Sequence, residues 1–140
     1  SGQFYKNDQG IISYWINSWK NRKKLDYIDF GEKGYQVRDC LHPLDLCHLI
    51  KKQINFLKSE TTRKTIYNVS GGISSSFSLK ELSSWCAHNI FPQKIGSRKK
   101  SRPFDLKWIV LDNSEVKKDF KWNIKFSKYK IFKDIKSNDN

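Results

Sequence analysis

The chain has 140 residues, enough for one domain with its own core and too few for two of ordinary size. Its formal net charge is +13, yet 14% of its residues are aromatic and five are Trp, a content that argues against disorder. No apolar run approaches the ~18 residues of a membrane span, and an odd count of three Cys makes reduced thiols in a cytoplasmic setting the expectation.

The first residue is Ser, and nothing near it has signal-peptide character, so the sequence reads as a processed product or a fragment. Lysines dominate the positive charge and are scattered along the chain. They occur at Lys20, Lys23 and Lys24, at Lys51 and Lys52, near Arg98 to Arg102, and from Lys117 to Lys136. A nucleic-acid module more often interleaves Arg with aromatics on one face. A solvated lysine-rich surface is therefore the primary reading, and a small basic nucleic-acid-binding protein the alternative.

In chain order, Ile11, Ile12, Trp15, Ile16 and Trp19 share one helical face, with Asp8 as the expected cap. Residues 25–30 read as a strand closed by the turn at 31–34, and residues 35–41 as extended. Pro43 suits the first turn of a helix, where its missing N–H costs nothing. That helix is expected to turn Leu46, Leu49, Ile50, Ile54 and Leu57 inward.

Residues 65–69 are β-branched and aromatic and read as a buried strand. Ser70-Gly71-Gly72 breaks it, and Ser78 with Glu81 forms a capping box for a helix that runs past Trp85 and Cys86 toward Pro92. Strand, glycine turn and capped helix would set free N–H groups beside a strand end, as in phosphate-binding α/β sites; a plain α/β connection has the same pattern. A basic loop follows to Leu106, then a short strand over 108–111 and a helix capped by Asp112, Asn113 and Ser114. Residues 123–140 read as a tail with some aromatic periodicity (Phe126, Tyr129, Phe132) that frays at its end. Alternation of strands and helices gives an α/β class.

Several apparent motifs fail. The Gly71–Ser78 loop lacks the Gly-Lys-Ser/Thr ending of a P-loop, and no Gly-x-Gly-x-x-Gly fingerprint exists. Cys40, Cys47 and Cys86 each lie near a His without zinc spacing, which leaves small buried thiols as the expectation. The sequon at Asn68 falls at an expected strand end. Tyr129 and Lys133 match a dehydrogenase spacing with no dinucleotide fold ahead of them.

Three segments remain: Gln36-Val37-Arg38-Asp39, the Gly71-Gly72 turn, and Arg102-Pro103-Phe104-Asp105. Two converging guanidinium forks suit a diphosphate, and Asp105 suits sugar hydroxyls. Surface pairing of Arg38 with Asp39 or Asp45, and of Arg102 with Asp105, is the ordinary alternative.

Together these segments resemble the carboxyl-terminal half of the extended short-chain dehydrogenase/reductase family, the NAD-dependent nucleotide-sugar epimerases and dehydratases. The resemblance rests on Gly2-Gln3-Phe4 with Asp8-Gln9-Gly10; on Gly34 through His42 with Asp45; on Tyr67 through Gly72 with Ser78 through Leu82; on Arg102 with Asp105; and on Asp112 through Trp122. The Asp-Gln-Gly and Gln-Val-Arg-Asp segments resemble the CDP-paratose (CDP-tyvelose) 2-epimerase branch most closely. Ser70 and Ser75 depart from the family's usual Gly and Asn.

The resemblance implies an α/β substrate-binding lobe over residues 1–122 plus edge strands of a Rossmann-like sheet, followed by a tail over 123–140. It implies a nucleotide-diphosphate sugar as ligand, with Arg38 and Arg102 on the diphosphate, Asp105 on the ribose, Gln9 near the nucleotide, and Gln36 in the same substrate-binding set. The NAD loop and catalytic Tyr/Lys of the family have no counterpart here. NAD is thus expected in the full-length enzyme and not on this chain, which is expected to be inactive alone. Neither nucleic acid nor membrane is an expected partner, and an exposed sheet edge offers a route to self-association.

Overall fold

The computed structural model describes residues 10–56, 66–99 and 105–137. Helix α1, Ile11–Lys20, buries Trp15, Ile16 and Trp19 on the face its periodicity predicts. Its two buried indoles find acceptors: Trp15 donates to Ser83 Oγ at 2.9 Å and Trp19 to the Phe91 carbonyl at 2.8 Å, as buried Trp N–H groups require. Asp8 lies outside the described residues; the cap position is Gly10, at φ 79°, with no side-chain hydrogen bond.

Strand β1, Asp26–Ile28, is followed by β2, Val37–Asp39, and by helix α2, Pro43–Phe56. Strand β3, Ser76–Ser78, leads directly into helix α3, Leu79–Asn89. Strand β2 is central, antiparallel to β3 on one side and parallel to β5, Trp108–Ile109, on the other. Both of its edges are therefore filled. The strand expected over 65–69 does not form in the described part, and residues 66–69 join no sheet. Tyr67 instead packs edge-on against Phe120 at 5.2 Å and donates its hydroxyl to Asp119 at 2.8 Å.

The basic loop contains a strand the sequence did not announce. Strand β4, Gly96–Arg98, runs parallel to β1, with Gly96 opposite Asp26. A Cβ at Gly96 would lie 2.1 Å from Asp26 Oδ1, so only glycine permits this approach.

Pro43 is the first residue of α2, as expected. The inner face differs from expectation. Leu49 is buried, but Leu46, Ile50 and Ile54 are exposed, and Leu57 lies outside the described residues. The helix is anchored through Leu49 and the wholly buried Asp45. Asp45 accepts the backbone N–H groups of Lys125 and Phe126 at 3.0 and 3.1 Å, while its carbonyl accepts the Trp122 indole at 3.0 Å.

Ser78 Oγ caps α3 by accepting the Glu81 N–H at 3.0 Å. The reciprocal half of the capping box is not made. The Glu81 carboxylate instead holds Lys128 at 2.7 Å and the Tyr129 hydroxyl at 3.1 Å, both on helix α5, Lys128–Ser137. This helix corrects the expected tail: Ile131, Phe132 and Ile135 are buried in one core with α1 and α3. A second cluster joins Leu49 of α2 to Val116 and Phe120 of helix α4, Ser114–Phe120, and to Trp122.

Candidate functional site

The alternation of β2 decides what each of its side chains can reach. Asp39 faces the glycine turn, where its Oδ2 accepts the Gly72 N–H at 2.9 Å. Arg38, one residue earlier, lies on the opposite face, level with Phe77 of β3. There Arg38 Nη2 meets Asp105 Oδ1 at 2.6 Å, while Nη1 donates to the Val37 carbonyl at 2.7 Å. The pair is about three-quarters buried, with Arg38 at 26% and Asp105 at 20% exposure. Arg38 therefore pairs with neither Asp39 nor Asp45. Two of the five guanidinium N–H donors are used in these bonds, and the others remain available to an oxyanion.

Arg38 and Asp105 line a small cleft of about 120 Å³ with Ile11, Gln36, Phe77 and Leu79. A larger depression of about 480 Å³ adjoins it, sharing Ile11, Gln36 and Leu79 and adding Tyr14, Trp15, Lys24, Asp26 and Arg98. Arg98 pairs with Asp26 at 2.6 Å. The two parts make one groove with an Arg–Asp pair in each and Gln36 between them. Gln36 Nε2 donates to the Ile28 carbonyl at 2.5 Å, but its Oε1 is buried with no partner among the described residues. Such an orphaned acceptor in a groove is suited to a donor carried by a ligand.

Arg98, Asp26 and Tyr14 were not singled out as site residues in the sequence. Their convergence depends on the parallel β1–β4 pairing, which a Gly-Ser-Arg strand does not advertise. Gln9 and Arg102 lie outside the described residues.

The glycine turn is closed to ligands. Its Gly72 N–H is shared by Asp39 and by Ser70 Oγ at 3.2 Å. A Cβ at Gly71 would lie 1.9 Å from the Cys40 carbonyl oxygen, so the hollow is filled by the chain itself. The start of α3 is equally occupied: Leu79 N–H donates to the Gln36 carbonyl, Lys80 N–H to the Gly34 carbonyl, and Glu81 N–H to Ser78. The free N–H groups expected here for a phosphate are consumed by internal acceptors. Ser70 bridges the Leu111 carbonyl and the turn.

His42 accepts the Leu44 N–H on Nδ1 at 3.1 Å, which directs its Nε2–H to Asp134 at 3.1 Å. Burial raises the carboxyl pKa of Asp134, but hydrogen bonds from Lys130 and His42 outweigh it and hold the pKa below the usual value. Burial, with a smaller effect from Asp39, pushes the Cys40 thiol up to about 12, and burial alone does the same for Cys86. Both are inert at neutral pH. Cys47, expected to be buried, is exposed. Among the described residues no group of three His, Cys, Asp or Glu side chains could hold a metal, and no helix is long and apolar enough to cross a membrane.

The short mixed sheet flanked by helices is similar in fold to part of a solved epimerase. The crystal structure of UDP-glucose 4-epimerase from Thermotoga maritima, solved with UDP-glucose, matches with a TM-score of 0.64 and 18% identity, over 91% of this chain. The match spans 37% of that enzyme's length. No protein-family model and no curated protein matches the chain.

Proposed function

We propose that this chain supplies the nucleotide-sugar-binding portion of an NAD-dependent epimerase or dehydratase of the extended short-chain dehydrogenase/reductase family, acting on a CDP-sugar as in the 2-epimerase branch. The observation that carries this reading is the Arg38–Asp105 pair, drawn together from 67 positions apart onto a groove where the buried Gln36 Oε1 has no partner among the described residues. In this reading Arg38 binds the diphosphate and Asp105 the ribose hydroxyls. Gln36 Oε1 accepts from a ligand N–H or O–H. Gln9, next in sequence to the groove-lining Gly10, and Arg102, three residues before Asp105, complete the set.

The chain's own residues do not fit NAD. Its glycine turn is filled by Cys40 and Asp39, and the sequence carries no dinucleotide loop. NAD would supply hydride transfer in the full-length enzyme through residues outside this sequence, and this chain alone is inactive. The exposed row Leu46, Ile50 and Ile54 on α2 supports a larger whole, since further polypeptide would cover it. Self-association is proposed through β5, an edge of the three-stranded sheet with Trp108 61% exposed. A cytoplasmic location is part of the same reading, on the odd count of three Cys.

Calorimetry with CDP-glucose and UDP-glucose tests the proposal. Binding of the CDP-sugar, weakened by Arg38→Ala by about 1–3 kcal/mol as for a lost charged hydrogen bond, supports it. Equal binding by Arg38→Ala would remove Arg38 from the site.

A further inference from the structure

A second concavity lies against the second core cluster, with no lining residue in common with the Arg38 groove. It encloses about 410 Å³ and is lined by Lys51, Lys52 and Asn55 from α2, by Lys121, Trp122, Asn123 and Lys125 from the segment after α4, and by His48. That volume falls within the range of small-ligand sites.

Its chemistry is one-sided. Four lysines line it and no carboxylate does. None of those lysines forms an ion pair among the described residues, in contrast to Arg38, Arg98, Lys128 and Lys130, which all have carboxylate partners. Asp45 lies 4.0 Å from His48 Nδ1. It is wholly buried, does not line the cavity, and accepts the Lys125 and Phe126 N–H groups, so its single negative charge stands against four lysines. His48 Nδ1 is itself buried without a hydrogen-bond partner among the described residues.

The walls are fixed. Asp45 pins the 125–126 backbone, and the buried Trp122 is tied to the Asp45 carbonyl. Unpaired like charges facing one hollow repel each other, and a bound anion relieves that repulsion. The lysine ammonium groups are mobile point charges and need no planar carboxylate-like fork.

We infer that this lysine cavity between α2 and the 121–125 segment binds a small anion carrying several linked phosphoryl groups. The small volume of the hollow and the absence of arginine and of exposed stacking aromatics in its lining favour a small oligophosphate over a nucleic-acid strand.

Calorimetry with inorganic tripolyphosphate on the chain at low ionic strength tests this. Lys51→Gln/Lys125→Gln should weaken binding by about tenfold or more, because two charge-assisted contacts are lost. Lys33→Gln/Lys133→Gln removes the same charge elsewhere and should leave affinity within about twofold, the size of a screened long-range effect. Equal losses in both pairs would assign the binding to diffuse net charge and overturn the inference. So would no binding at millimolar tripolyphosphate. A single-stranded oligonucleotide that binds more tightly than tripolyphosphate, and equally to both double variants, would also overturn it.

Discussion

Asp39 and Gly72 stand 33 residues apart in sequence, yet the Asp39 carboxylate accepts the Gly72 N–H at 2.9 Å. The contact places a fixed negative group where a phosphate would have to sit, and it leaves Arg38 to serve the other face of β2. The turn is thus a structural joint, and the groove around Gln36 is where we propose that the ligand binds.

Gly71→Ala should destabilise the chain by more than about 3 kcal/mol, because the new methyl meets the Cys40 carbonyl and Ser75 with no flexible neighbour to yield. Gly31→Ala meets nothing within 4 Å but sits at φ +77°, and should cost only about 1 kcal/mol. Urea unfolding of the two variants checks the contrast.

Asp45→Ala should cost about 3 kcal/mol by the same measurement. It leaves the Lys125 and Phe126 N–H groups without their acceptor and loosens the strap beneath Trp122.

Stability should fall on acidification. The folded-state pKa values of Asp112 and Asp134 are both lowered, the first by hydrogen bonds from Ser114, the second by those from Lys130 and His42 against the opposing effect of burial. A lowered carboxyl pKa contributes stability that is present above the unfolded value near ~4 and is lost as pH falls through the folded value. Thermal midpoints measured from pH 6 to pH 3 should decline, and Asp134→Asn should flatten part of the decline.

Thiol labelling at pH 8 should modify Cys47 rapidly and spare Cys86, which burial holds near 12 and shields from reagent. Equal rates for the two would contradict the packing of α3.

Much of this architecture was legible in the sequence. The α1 face, Pro43 at the start of α2, and the Ser78 cap were all readable, because each is set by local periodicity or by one hydrogen bond within a turn. The misreadings share a different cause. Tyr67 and Val69 are apolar enough for a strand, but both edges of β2 were already filled. Strand β4 is stabilised by its fit against Asp26, which a Gly-Ser-Arg stretch does not announce. Residues 128–137 look like a charged tail until Ile131, Phe132 and Ile135 are seen to close the core over α1 and α3. At the site, Arg38, Gln36 and Asp105 were named from sequence; the Asp26–Arg98 pair and the lysine cavity depend on contacts between distant segments.

The most direct test of the central claim is a ¹H–¹⁵N spectrum of the chain titrated with CDP. The account predicts saturable shifts at the Gln36 side-chain amide and at the backbone of Arg38, Asp26 and Leu79, lost in Arg38→Ala, with Gly72 unmoved. Shifts centred on Gly71 and Gly72, or no saturable shift around Gln36, would contradict it.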